Sequence, residues 1–432
     1  IYVDSTFITM RSNAARSSVK IDYLGLNLDN SVLFNKYQSY FHNMGQYPNP
    51  GLAFLVVGGL YDQFENHRFI GGIRIPPSLR GLSYFGRYEN LTRRTDWGFS
   101  YFSSKNISGY NFIINSNMPL EVQGNSTSHF LQFDFSRPLD KVSTIKGNIS
   151  YRQNQMTLKA TEFYSLILPT IKDHWTNLHL EYMYDNTKMP LFNIWNGLRL
   201  KIFGDLMYKL NDNNEYYTLH GYEYRKTSYI ANLGFDIRYY KPLFRTSILA
   251  IRGSGAHAFG SQQIIYYLGG MDNEMSPQWS RGMMPTEYQN YAYQALVTNM
   301  RGYNQNVLNG NTYALLNTEI RVPVVSTIFN RTTNSSILKN LQLVGFLDVG
   351  SAWEGLLASR ERNTKRAASF YWPQRPNTPV VTVQVAAENQ DLIAVGYGLG
   401  VRTKLLGYFL KFDAAMNLDR NFKYHISIGT DF

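Results

Sequence analysis

The chain counts 432 residues, of which 44% are hydrophobic, 15% aromatic and 17% charged, and it has no cysteine. That composition excludes a disordered chain, a disulfide scaffold and a zinc–thiolate site, and its charged fraction lies well under the roughly 25% usual for soluble domains. The 42 basic against 31 acidic residues leave a net charge of +11, but the Lys and Arg residues stand singly, which argues against nucleic acid as a partner.

In chain order, Ile1 to Pro50 has mixed polarity and begins without Met or a signal-peptide pattern. It ends in the breaker Tyr47-Pro48-Asn49-Pro50, so residues 1–50 read as an N-terminal segment or connector from an upstream region. Gly51 to Leu60 is the longest apolar run, with three glycines. It is far short of the roughly 18 to 20 residues a membrane-crossing helix needs. Beyond it, hydrophobicity repeats with period two, not 3.6. Leu131 to Phe135, Ile145 to Arg152 and Leu178 to Tyr184 alternate in this way. Toward the end, Val395, Tyr397, Leu399 and Val401 oppose Gly396, Gly398, Gly400 and Arg402. Tyr408, Leu410, Phe412 and Ala414 then oppose Lys411 and Asp413, and Tyr424, Ile426, Ile428, Thr430 and Phe432 oppose Lys423, His425, Ser427, Gly429 and Asp431.

These segments are roughly 8 to 12 residues long, the length of a tilted membrane strand. A soluble sandwich would bury the apolar face and would look the same strand by strand. Three features favour a transmembrane antiparallel β-barrel over residues 51–432: long strands, polar faces rich in Gly, Asn and charge, and Tyr or Phe at strand ends. The connections agree. Pro138-Leu139-Asp140 and Leu406-Gly407 are tight, whereas Gly260 to Asn311 and Leu356 to Asp391 are long and polar.

Five motifs occur in order: Tyr267-Leu268-Gly269-Gly270, Asn299-Met300-Arg301-Gly302-Tyr303, Asn317-Thr318-Glu319-Ile320-Arg321-Val322-Pro323, Phe346-Leu347-Asp348-Val349-Gly350-Ser351-Ala352-Trp353 and Gly396-Tyr397-Gly398-Leu399-Gly400. Together with the terminus Tyr424-His425-Ile426-Ser427-Ile428-Gly429-Thr430-Asp431-Phe432, they resemble the barrel of the BamA/TamA superfamily, whose relatives include two-partner secretion transporters. The specific part of the resemblance covers about residues 265 to 432. It implies a barrel of 16 strands in the bacterial outer membrane, with a long extracellular loop folded back into the lumen. The tip of that loop would be Arg301-Gly302-Tyr303, and its acidic partners on the inner wall would be Glu319 and Asp348. Parity supports the pairing independently, since Glu319 is in phase with Asn317 and Arg321, and Asp348 with Phe346 and Gly350. An Arg fork on carboxylates in a lumen of lowered dielectric is a strong, orientable tether.

The resemblance further implies assembly, insertion or translocation of client polypeptides. The expected seam lies between the first strand and the strand of Tyr424, Ile426, Ile428, Gly429 and Phe432, where an open edge would template a client strand. The expected surroundings are outer-membrane lipid and lipopolysaccharide, with periplasmic, lipoprotein or other outer-membrane subunits as partners. A structural barrel anchoring an upstream domain or partner complex is the alternative. The eight histidines show no metal spacing and no nucleophile motif beside them, so neither enzyme activity nor a metal or cofactor is expected.

Overall fold

The computed structural model describes residues 19–40, 47–79, 81–114, 118–159, 170–210, 228–280, 290–329, 335–358, 367–371, 382–386 and 392–429. Among the described residues, sixteen antiparallel strands form the wall. In order they are β1 (Val19–Asp29), β2 (Ala53–Asp62), β3 (His67–Ile75), β4 (Ser83–Asn90), β5 (Asp96–Ile114), β6 (Met118–Pro138), β7 (Ser143–Leu158) and β8 (Ile171–Asp185). They continue with β9 (Ile194–Lys209), β10 (Tyr229–Pro242), β11 (Ile248–Gly260), β12 (Thr312–Pro323), β13 (Gln342–Trp353), β14 (Ala394–Leu405), β15 (Tyr408–Asn417) and β16 (Phe422–Ile428). A four-residue strand, Lys188–Leu191, makes the sheet seventeen-stranded from within the β8–β9 connection.

The alternation settles which face is which. On β12, Leu316 and Ile320 are exposed while Asn317, Glu319 and Arg321 are buried. Leu399 on β14 is 71% exposed, and the neighbouring Arg402 and Asp413 are fully buried. A soluble protein reverses this arrangement; an apolar outside around a polar inside is the wall of a membrane barrel. The long connections, 261–311 and 354–393, follow β11 and β13, and the turns after β2, β6 and β14 are short.

An inner sheet occupies part of the lumen. Gln263–Leu268 and Tyr291–Val297 pair in parallel, Leu308–Gly310 pairs antiparallel to the first of them, and Gln38–Ser39 pairs antiparallel to the second. This inner sheet buries Tyr266, Leu268 and Ala295, with Met300 just beyond it, against Trp175, Phe203, Ile230 and Leu315 of the wall. The core therefore sits between inner sheet and wall. The extra length of the β11–β12 connection goes into building that sheet.

The first wall strand, Val19–Asp29, lies inside the segment that reads as a connector, and residues 30–40 enter the lumen. Its period is hidden by a bulge: Ile21 faces Leu60 and Tyr23 faces Gly59, leaving Asp22 without an opposite residue. The apolar phase shifts accordingly, from Val19 and Ile21 to Leu24, Leu26 and Leu28. Arg74 of β3 clamps the strand exit, donating to the carbonyls of Ser31 at 2.8 Å and Gly51 at 2.9 Å. The Leu28 N–H donates to the Tyr408 hydroxyl at 2.7 Å, which ties the end of β1 to β15.

Candidate lumen-loop site and closing strand

The β12–β13 register sets Asn317 opposite Asp348 and Glu319 opposite Phe346. Glu319 and Asp348 thus lie diagonally on one inner face, close enough for a single guanidinium to reach both. Arg301, at the tip of the returning connection, does so. Its Nε and Nη2 donate to the two Asp348 oxygens at 2.7 Å each, and Nη1 donates to Glu319 Oε1 at 2.6 Å. Its backbone N–H adds a bond to Asp348 Oδ2 at 3.1 Å. The Phe346 ring lies beneath, 3.6 Å from the guanidinium carbon, as a cation–π floor.

All three charges are withdrawn from water, Arg301 being 1% exposed, Glu319 2% and Asp348 not at all. Burial alone would lower the Arg301 pKa, but Asp348 and then Glu319 outweigh it and push it well up, so the charge is kept. The second Glu319 oxygen accepts from Arg321 Nε at 2.8 Å. Asn317 Nδ2 donates to Asp348 Oδ1 at 2.8 Å and to the Asn299 carbonyl at 2.5 Å. Two arginines face two carboxylates, and the buried cluster is close to neutral.

The backbone must come very near the wall for this to happen. A Cβ on Gly396 would stand 1.8 Å from the Arg301 carbonyl oxygen, and only glycine fits there. Gly302 has φ +87°, which turns the chain after the arginine. Its N–H donates to His425 Nε2 at 3.1 Å, so that nitrogen carries no proton. The proton then sits on Nδ1 and is donated to Glu274 Oε1 at 2.9 Å. Tyr303 donates its hydroxyl to the Val395 carbonyl at 3.1 Å.

The remaining candidates take structural places. Gly350 lies opposite Leu315, in a position where Leu268 of the inner sheet packs directly on it. Trp353 closes β13 opposite Thr312 and donates its indole N–H to the Leu356 carbonyl at 3.3 Å. Tyr424 is exposed and stacks on Phe412 with centroids 5.7 Å apart, and Ile426 shares its outer face. Ile428 ends β16 and Gly429 follows it, while Phe432 is outside the described residues. Sequence reasoning did not single out His425 or Glu274, and of the second lumen cluster it offers only His179 and Glu181, two residues apart on one strand face, without Tyr37 or Asp205. There, Tyr37 of the N-terminal segment donates to Asp205 Oδ2 at 3.0 Å, and His179 lies 2.7 Å from Asp205 and 3.6 Å from Glu181. Burial pushes the Tyr37 hydroxyl well up, keeping it a donor. This cluster borders a cavity of about 420 Å³ also lined by Lys36, Asn148 and Lys201. Among the described residues no group of His, Asp and Glu could hold a metal ion.

No curated protein matches the sequence. Among solved structures, BamA from Haemophilus ducreyi in a form lacking POTRA domains 1–3 shares the fold with a TM-score of 0.53 at 12% identity, over 96% of this chain and 71% of that one. CdiB from Escherichia coli aligns with a TM-score of 0.51 at 9% identity, over 96% of this chain and 67% of the other. At such identities the likeness speaks for the fold. The Omp85 superfamily domain matches residues 79–432, well over half of the sequence, and the chain belongs to the Omp85 superfamily.

Proposed function

We propose that this chain is a bacterial outer-membrane barrel that inserts other polypeptides into the membrane or translocates them across it. The family match over residues 79–432 carries the reading. The inward tether of Arg301 supports it by giving the returning loop one defined position against the wall that must move for passage. Arg301, Gly302 and Tyr303 are the positioning tip, Glu319 and Asp348 its seat, and β16 the strand that meets the client. No catalytic step is assigned. Client polypeptides, membrane lipid, and further periplasmic or outer-membrane subunits are the proposed partners. An upstream domain attached through the N-terminal segment belongs to the same proposal.

The test is reconstitution into lipid vesicles with an unfolded barrel protein as client, its folding followed by the gel shift of the heat-resistant form. Insertion faster than into protein-free vesicles supports the proposal. The second reading, a structural anchor, draws on the inner sheet packed against the wall and its buried ion pairs. A correctly folded barrel that leaves client folding at the vesicle-only rate would favour that anchor instead.

A further inference from the structure

Gly429 donates its N–H to the Phe409 carbonyl at 2.8 Å, so residues 425, 427 and 429 turn their backbone groups toward β15. Residues 426 and 428 consequently turn theirs the other way, to the edge from which a neighbouring wall strand would hang. That edge is occupied by the chain's own β11–β12 connection. The Met275 N–H donates to the Ile426 carbonyl at 2.9 Å, and the Ile428 N–H donates to the Asn273 carbonyl at 3.4 Å. Glu274 sits between them, opposite Ser427 in an antiparallel bridge. Side chains hold this short piece in place. Glu274 accepts from His425 on β16, and Asn30, just past the end of β1, donates to the carbonyls of Asn273 at 2.9 Å and Glu274 at 3.1 Å.

We propose that Asn273–Met275 is an internal strand stub that occupies the lateral edge of β16 and withholds it from an extended segment of another polypeptide. The proposal rests on the insertion or translocation reading. An edge facing lipid must find backbone partners, because unpaired N–H and C=O groups are costly there. The stub supplies them only at Ile426 and Ile428. A longer strand would make more ladder bonds, so the stub is an occupant that a suitable partner displaces. That partner is an extended segment with alternating apolar residues, whose outward side chains continue the lipid face of Tyr424 and Ile426. Displacement also severs the Glu274–His425 bond, and His425 holds Gly302 beside the Arg301 tip. Edge and lumen tip are therefore mechanically joined.

The sequence holds no native cysteine, which allows a disulfide test on the full chain in lipid vesicles. Met275→Cys paired with Ile426→Cys joins residues bonded across the stub, within disulfide reach. This pair should close on mild oxidation, and Met275→Cys paired with Leu399→Cys on the outer face of β14 should not. Failure of the first pair to close overturns the placement. The probe for the edge is a synthetic peptide of about ten alternating apolar and polar residues carrying one photoreactive side chain. Oxidation of the Met275–Ile426 pair should cut its labelling of β16 about tenfold, the loss expected when its backbone bonds cannot form. Glu274→Ala should raise labelling several-fold relative to the parent chain. Equal labelling of locked and reduced protein overturns the proposal, and so does absence of labelling in every variant. Client insertion by the reduced protein, followed in the same vesicles, separates the two readings. Lock-sensitive labelling without insertion retains the stub and removes the insertion function, whereas insertion indifferent to the lock does the opposite.

Discussion

Arg301 shows at single-residue scale how a buried charge becomes a structural commitment. Arg301→Ala leaves Glu319 and Asp348 enclosed without their shared counter-charge, an expense of about 3 to 5 kcal/mol for a broken buried pair. The unfolding midpoint in detergent should fall accordingly, and protease should cut the β11–β12 connection faster. Arg301→Lys restores a charge but not the fork that spans two Asp348 oxygens and Glu319, so its midpoint should stay nearer to that of alanine than to the parent. A lysine variant as stable as the parent would show that charge alone is enough. Gly396→Ala provides a test with every charge retained. Its new Cβ overlaps the Arg301 carbonyl, and forcing the two apart should cost about 1 to 3 kcal/mol by the same unfolding measurement. Of this site, Arg301 and its two acids were named by the family resemblance, and strand parity independently set Glu319 and Asp348 in phase with the polar residues of their strands. His425 was not singled out. Its bond to Gly302 joins residues far apart in sequence, and nothing local to β16 distinguishes that histidine from the polar residues beside it.

The inner sheet is the decisive element. Leu268 is fully buried, seated on Gly350 and Leu315, and it links the sheet to β12 and β13. Leu268→Ala should cost about 2 to 5 kcal/mol through the cavity it leaves, again read from the unfolding midpoint. Leu406→Ala, at an 89% exposed turn, should move that midpoint by less than about 0.5 kcal/mol and serves as its control. A similar loss at both positions would mean that the inner sheet contributes no packing of its own. The sheet escaped sequence reading for a physical reason. Gln263–Leu268 and Tyr291–Val297 are buried on both faces, so they carry no clean alternation. One of their partners, Gln38–Ser39, comes from the opposite end of the chain. The first wall strand escaped for a different reason: its bulge at Asp22 exchanges the two faces midway.

For the whole molecule, the apolar outside predicts an asymmetry between two kinds of charge substitution. Leu347→Arg and Leu399→Arg place a guanidinium on the lipid face and should each lose about 2 to 4 kcal/mol near the bilayer midplane, measured by urea unfolding from vesicles. Equivalent values in vesicles and in a detergent that wets the wall would contradict the lipid-facing assignment. The sequence by itself determined the strand character, the position of the long connections and the parity that groups Glu319 and Asp348 with the polar residues of their strands. All of these are local properties, carried by a backbone that turns successive side chains to opposite sides. The alternating segments of roughly 8 to 12 residues fall short of strands such as Asp96–Ile114, 19 residues, and Met118–Pro138, 21 residues. The tertiary structure decided what locality cannot reach. It placed the apolar faces outward, seated in the lumen a sheet drawn from two distant parts of the chain, set His425 beneath the loop tip, and laid Asn273–Met275 along the edge of β16. Each of these depends on which surfaces meet once the chain has folded, because a polar face or an open strand edge is satisfied by whatever backbone or side chain the tertiary structure brings to it.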